Sequence, residues 1–409
     1  MSDLADAVLP LLRTRADLHR WSSANAHGRQ MHDAVDRLEA AVPDADPHDA
    51  WTVTHKALAS AVTIIARADD SSGIIGDACR RLLDLHPRVA QAASVPVSTL
   101  VPWLIRFQFE GEVDYFELDP VAYAPALGEL GTARYRAALA EIRATVGPPP
   151  DVASWPDPHR RIRWVLEWND RRLAVLDRDV EGIVRTHARD QRVAAWLQDT
   201  AEAMEEIGRI DLALDWARRA VDHDHGHQSL TASRYWLGLI TRHRPEETLE
   251  AVRYVFHRWP TASTAAALRE AAGATWSRYE AETFAALATS AAESVSFCLN
   301  SLADPVRAWK LAEELGLTDS SGWSALAAAY ETVDPLAVLP VHRRLVTEVL
   351  TETDARQYRE AARRLARMRR LAAGTVEAAA VEEFVAELRV THRRRPRLQQ
   401  EFDRVGLPR

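Results

Sequence analysis

At 409 residues the chain is longer than one compact core serves, so it divides into two or three units or else grows by repetition. Apolar residues make up 47% of it and glycine numbers only 16, which supplies ample interior but few of the sharp turns that β-rich and doubly wound folds consume. The net charge of −8 argues against indiscriminate nucleic-acid binding by the whole chain, although residues 342–409 carry 16 arginines against 10 acids and stand at +6, leaving −14 elsewhere.

Lysine occurs only as Lys56 and Lys310, so 49 of the 51 basic residues are arginine. Neither lysine follows a glycine, which excludes a G-x-x-x-x-G-K-[ST] phosphate loop and leaves a lysine nucleophile two candidates, both in helical patterns. Cys79 and Cys298 are the only cysteines. Both sit among apolar residues and read as buried free thiols; a pair alone builds neither a structural zinc site nor a disulfide framework. The first twenty or so residues lack the basic n-region and cleavage site of a secretory signal. No run reaches the roughly eighteen apolar residues of a membrane span, and the expected location is cytoplasmic.

Taken in chain order, residues 1–146 predict an N-terminal helical domain. Apolar residues fall at helical spacing over Ser2–Ala41, His48–Ala68 and Ile74–Leu85. Asp69-Asp70-Ser71-Ser72-Gly73 interrupts them with capping chemistry; a calcium loop would need D-x-[DN]-x-[DN]-G and a distant Glu, which are missing. The aromatic stretch Trp103–Tyr123 packs between helices, although Phe107-Gln108-Phe109 also suits a short strand. Gly147-Pro148-Pro149-Pro150 with Pro156 and Pro158 then predicts a linker over 147–158.

Residues 159–333 carry a repeat. Leu197, Ala201, Met204, Gly208, Ala213, Ala217 and Ala220 have the spacing of a tetratricopeptide-like hairpin, with Gly208 in its turn. Ala232, Trp236, Leu239, Thr248, Val252 and Val255 repeat it about 35 residues on, closed by Pro260, near the roughly 34-residue period of that class. Residues 334–409 form a C-terminal helical, arginine-rich region. There Tyr358, Ala361, Ala362, Leu365, Met368 and Leu371 share one helix face, arginines cover the other, and Gly374 stops the helix. The fold expected is all-α: an α-solenoid of tetratricopeptide-like helical hairpins with an N-terminal helical domain.

Three segments, DLHRWSSANAHGRQMHDAVDRL at 17–38, DDSSGIIGDACRRLLDLH at 69–86 and LDPVAYAPALGELGTARYRAAL at 118–139, resemble an uncharacterised bacterial family of helical proteins. YREAARRLARMRRLA at 358–372 and ELRVTHRRRPRLQQEFDRVGL at 387–407 resemble the helical tail of relatives that carry a SWIM zinc finger. The C-x-C and C-x-H pairs of that finger are missing here, so zinc does not carry over. The resemblance implies an all-helical solenoid and no particular activity.

Four constellations are candidates for function. Asp222-His223-Asp224-His225-Gly226-His227 offers His223, His225 and His227 as metal ligands, against a solvated loop between repeats. The early histidines His19, His27, His32, His48, His55 and His86 offer acid/base groups, but His27 and His32 do not share a tight helix face and no H-E-x-x-H occurs. Trp164 and Trp168 lie at i,i+4 with Arg161 and Arg171 interleaved, a pattern that suits partner binding as well as helix packing. Arg393, Arg394, Arg395 and Arg397 form a basic tail suited to nucleic acid, or to a solvated helix end.

The leading expectation is a non-enzymatic scaffold that binds a protein or peptide on its solenoid surface. It needs no cofactor and no membrane partner. The alternatives are a metal-dependent or His/carboxylate enzyme, and a nucleic-acid-associated regulator acting through the basic tail.

Overall fold

A computed structural model of the chain describes residues 2–111, 113, 116–147 and 157–408. Pro148–Pro150, Trp155 and Pro156 of the expected linker, and Tyr115 of the aromatic stretch, lie outside the described residues. Among the described residues the secondary structure is entirely helical, with no strand. Phe107-Gln108-Phe109 is accordingly helical. No helix among them is long and apolar enough to cross a membrane. The chain divides into two compact units, 1–220 and 221–409.

The first unit holds α1 (Asp3–Val8), α2 (Trp21–Ala41), α3 (Pro47–Ile65), α4 (Ile74–Ala92), α5 (Val97–Glu110), α6 (Pro120–Val146), α7 (Arg160–Leu176), α8 (Val180–Ile183) and α9 (Ala194–Glu206). The continuous periodicity over Ser2–Ala41 is broken at residues 13–20. There Thr14 and Asp17 turn their side chains onto the backbone N–H groups of Ala16 and His19, the local bonding that competes with helix. Asp70 does cap α4 as its position suggests: its two carboxylate oxygens accept from Ile75 N at 2.9 Å and Gly76 N at 2.8 Å.

One core fills this unit from Ala5 to Leu173. It takes in Leu166 and Leu173 of α7, so the helix beyond the proline-rich segment is packed with the helices before it. Cys79 is in the same core, and burial pushes its thiol up to about 12, where it is inert.

The chain division falls within α10 (Ile210–Asp222). The second unit continues with α11 (His227–His243), α12 (Thr248–Arg258), α13 (Ala262–Ala272), α14 (Glu280–Leu287), α15 (Ala291–Phe297), α16 (Pro305–Glu314), α17 (Ser320–Tyr330), α18 (Leu339–Val349), α19 (Ala355–Ala372), α20 (Ala378–Thr391) and α21 (Pro396–Arg404).

Packing in this unit is serial. α11 meets α12 and α12 meets α13, which packs on α15; α15 meets α16, and the series runs on to α18 against α19, which α20 and α21 then cover. Three apolar clusters succeed one another along the chain: one over residues 252–297, one over 295–345 and one over 339–407. Each is built by helices close in sequence. That is the organisation of a solenoid, in which every hairpin leaves an apolar face for its neighbour to bury.

The repeat positions behave accordingly. Leu197, Ala201 and Met204 of α9 and Ala213, Ala217 and Ala220 of α10 are buried, as are Ala232, Trp236 and Leu239 of α11 and Val252 and Val255 of α12. Gly208 takes φ +76° between α9 and α10, the left-handed turn its place in the pattern requires.

Candidate functional site

The tryptophan pair of α7 sits where the helix faces the segment that follows α5. Trp168 is turned inward, its indole N–H donating to Leu118 O at 3.0 Å, with the guanidinium of Arg171 5.6 Å from its ring centre. Arg161 donates to Gly111 O at 3.0 Å and to Val113 O at 3.1 Å, fixing that segment against the helix. Trp164 is the exposed member, with 39% of its surface open. It lines a cleft of about 700 Å³ with Asp157, Pro158, Arg160, Arg161, Arg163 and Glu167.

The cleft walls are held rather than loose. Arg163 pairs with Asp157 at 3.0 Å and donates to Gly147 O at 2.8 Å. Arg172, on the next turns of α7, bridges Asp119 and Glu206 at 2.7 Å each, and these pairs raise its pKa although burial opposes them. Arg171 differs. Its buried Nε has no hydrogen-bond partner among the described residues, and burial together with the Arg189 charge lowers its pKa. The structure thus brings Arg161 and Trp164 to one cleft, commits Trp168 to packing, and leaves Arg171 outside the cleft lining.

The early histidines separate into unlike pairs. His27 and His32 do not meet: His27 Nδ1 faces Gln30 Oε1 at 3.3 Å, while His32 lies between Ile74 O at 3.0 Å and Arg81 at 3.1 Å. His55 and His86 do meet, Nδ1 to Nε2 at 3.0 Å, and His86 Nδ1 is 2.8 Å from the Tyr123 hydroxyl. Trp51 and Trp103 flank them, the latter stacked on His86 at 4.3 Å.

Tyr123 is buried, and His86 is the acceptor within reach of its hydroxyl proton. The O–H therefore donates to His86 Nδ1, and His86 Nε2–H donates in turn to His55 Nδ1. Burial, helped by the His55 charge, takes the His86 pKa down to about 3, so this chain of three groups is neutral at pH 7. Neither a carboxylate nor a nucleophile joins it in these contacts. Its hydrogen bonds tie α3, α4 and α6 together within the core.

The His223–His227 loop is pinned through its backbone. Arg258 donates to Asp224 O at 2.7 Å and Trp259 Nε1 to His225 O at 3.2 Å, while Asp224 accepts from Gly226 N and Ser229 Oγ, both at 2.7 Å. His223 turns to Asp224 at 3.4 Å and the His225 ring lies 6.3 Å from that of Trp259. Among the described residues no three His, Cys, Asp or Glu side chains gather as a metal ion requires. In the tail, Arg393, Arg394 and Arg397 are exposed, whereas Arg395 is half-buried and donates to Leu350 O at 2.8 Å.

One buried polar cluster carries no motif that sequence reasoning recognises: Gln108, Tyr135 and Asn169, joined by hydrogen bonds of 2.6 to 3.0 Å. Its only advance signal is a polar residue at an inward helical position.

The fold and these sites define an all-helical protein with repeat-type packing in its second unit and, among the described residues, no cluster of side chains that could hold a metal ion. The chain belongs to the family of unknown function DUF6880, whose profile matches residues 10–398. No curated protein matches it. Among solved structures, a circular tandem repeat protein with novel repeat topology and enhanced subunit contact surfaces is 13% identical over 98% of this chain and 93% of that one. Its TM-score is 0.17, too slight a likeness to describe this fold.

Proposed function

We propose that this chain is a non-enzymatic scaffold of the cytoplasm, built with tetratricopeptide-like helical hairpins, that binds a protein or peptide segment at the cleft beside α7. The observation that carries the reading is Trp164. A large aromatic side chain stands 39% exposed at a cleft of about 700 Å³ whose walls are fixed by hydrogen bonds and ion pairs. Exposed aromatics beside arginine, set in a rigid surround, are the groups that dominate binding energy at protein interfaces, because little ordering entropy remains to be lost. Three arginines against one Asp and one Glu in the lining favour a segment that brings a carboxylate along with an apolar side chain to stack on the indole.

Affinity capture on the intact chain, read by mass spectrometry, tests this. A defined protein should be retained by the parent and by Trp21→Ala, which removes another exposed tryptophan, and lost with Trp164→Ala. Equal capture by all three removes the cleft from the function.

A further inference from the structure

The second unit carries a different surface, on α19. Its apolar face, Tyr358, Ala361, Ala362, Leu365 and Met368, is buried against its neighbours. Of its arginines, three are paired: Arg364 with Glu360 at 2.9 Å, Arg369 with Glu382 at 2.6 Å, and Arg367 with Glu331. The other four, Arg356, Arg359, Arg363 and Arg370, are exposed and have no carboxylate within ion-pair distance among the described residues.

These four are not scattered. At 3.6 residues per turn they fall within about 60° of one another around the helix axis, opposite the buried face, and run along about 20 Å of it. Like charges three and four residues apart on a helix repel, so the row costs the fold stability. Arg395, from the tail, donates to Leu350 O ahead of the N-cap Asp354 of α19.

Alongside runs a cleft of about 810 Å³ that Arg356, Arg359 and Arg363 line with Ser321, Ser324 and Gln357. Its two acids are already engaged, Glu360 by Arg364 and Glu348 by Ser320 at 2.5 Å. Of apolar side chains it offers Leu345, which is buried, and Val349.

We infer that the α19 face binds the phosphodiester backbone of nucleic acid, without reading its sequence. A peptide needs apolar or aromatic anchors, which this cleft does not present. A phosphate backbone needs what it does present: a row of exposed guanidinium forks beside hydroxyl and amide side chains. The negative charge of the rest of the chain confines such binding to this face. The inference is independent of the Trp164 cleft, which belongs to the first unit.

Fluorescence anisotropy with a labelled 20-base-pair duplex and the intact protein tests it. Neutralising four phosphates predicts a fall in affinity of about a hundredfold between 50 and 200 mM salt. The variant Arg356→Gln/Arg359→Gln/Arg363→Gln/Arg370→Gln, whose glutamines keep helix propensity, should bind at least about tenfold more weakly at 100 mM salt with unchanged helicity. If that variant misfolds, the two half-variants, Arg356→Gln/Arg359→Gln and Arg363→Gln/Arg370→Gln, should each lose part of the affinity and part of the salt slope. Parental affinity in the folded variants overturns the proposal. So does displacement of the duplex by polyglutamate at equal charge, which would make this a face for acidic protein.

Discussion

Tyr135 donates a 2.6 Å hydrogen bond to Asn169 Oδ1, tying α6 to α7 in full burial. Gln108 closes the figure from α5: its amide N–H groups reach the Tyr135 oxygen at 2.7 Å and Leu104 O at 3.1 Å, and its carbonyl accepts from Asn169 at 3.0 Å. Asn169 spends its second N–H on Val165 O at 2.9 Å. Every donor of the three side chains is used, which is the condition under which a buried polar network rigidifies a core instead of weakening it. Tyr135→Phe leaves Asn169 Oδ1 and one Gln108 N–H unpartnered and should destabilise the first unit by about 1–3 kcal/mol. Urea unfolding measures it, and a double-mutant cycle with Asn169→Ala should show coupling; additive losses would mean the three side chains do not act as one network.

That network also shows where sequence reading stopped. Apolar periodicity and cap residues gave away the helices, because a 3.6-residue period and an Asp carboxylate on free N–H groups are local signals. Asp70 and Gly208 sit as their positions demand. Partners brought together across 34 or 61 residues leave no local mark, so Tyr135–Asn169 and Gln108–Asn169 were invisible. The Trp164/Trp168 pair was legible as a pair, but which ring turns inward depends on Leu118 O, 50 residues away. The arginine row on α19 was visible as composition; that four of its members lack a carboxylate required the structure.

Acid should destabilise the protein through its buried histidines. Burial takes His86 down to about 3 and His187 and His342 to about 4, all below the ordinary 6.5. Below pH 6.5 the unfolded chain therefore binds protons that the folded one refuses, so stability present at pH 7 falls as the pH drops toward 4. Each such histidine contributes up to about 1.4 kcal/mol per pH unit over that range. His86→Gln should flatten the decline between pH 6.5 and 4 in urea titrations, and an unchanged slope would mean that His86 titrates freely. His342 adds a contrast, since neither of its ring nitrogens has a partner among the described residues and Arg364 and Arg367 oppose its protonation. His342→Leu should leave stability equal or higher at pH 7, and clearly higher at pH 5.

The triple variant His223→Ala/His225→Ala/His227→Ala should match its parent in a calorimetric zinc titration, because the loop's order comes from Arg258 and Trp259 acting on backbone carbonyls. Arg258→Ala should loosen the loop instead, raising amide exchange at residues 223–226 while the imidazole deletions do not. Zinc heat present in the parent and lost in the triple variant would restore the three histidines as ligands.

Two glycines predict opposite kinds of failure. Gly208 stands at φ +76° with Arg178 3.7 Å from where a Cβ would lie, so there is room and the obstacle is backbone strain alone. Gly208→Ala should lower stability by about 1 kcal/mol and Gly208→Asn by less, since asparagine tolerates the left-handed region. Gly28 lies inside α2, where a Cβ would come within 2.5 Å of Ile74 Cγ2. There alanine favours the helix by about 1 kcal/mol, but a β-branched side chain at the start of α4 cannot swing clear, and overpacking of about 1–3 kcal/mol wins. Gly28→Ala should therefore destabilise, and Ile74→Ala in the same chain should recover part of the loss beyond its own effect. No recovery in the double variant would mean that α2 and α4 part at Gly28 rather than press together.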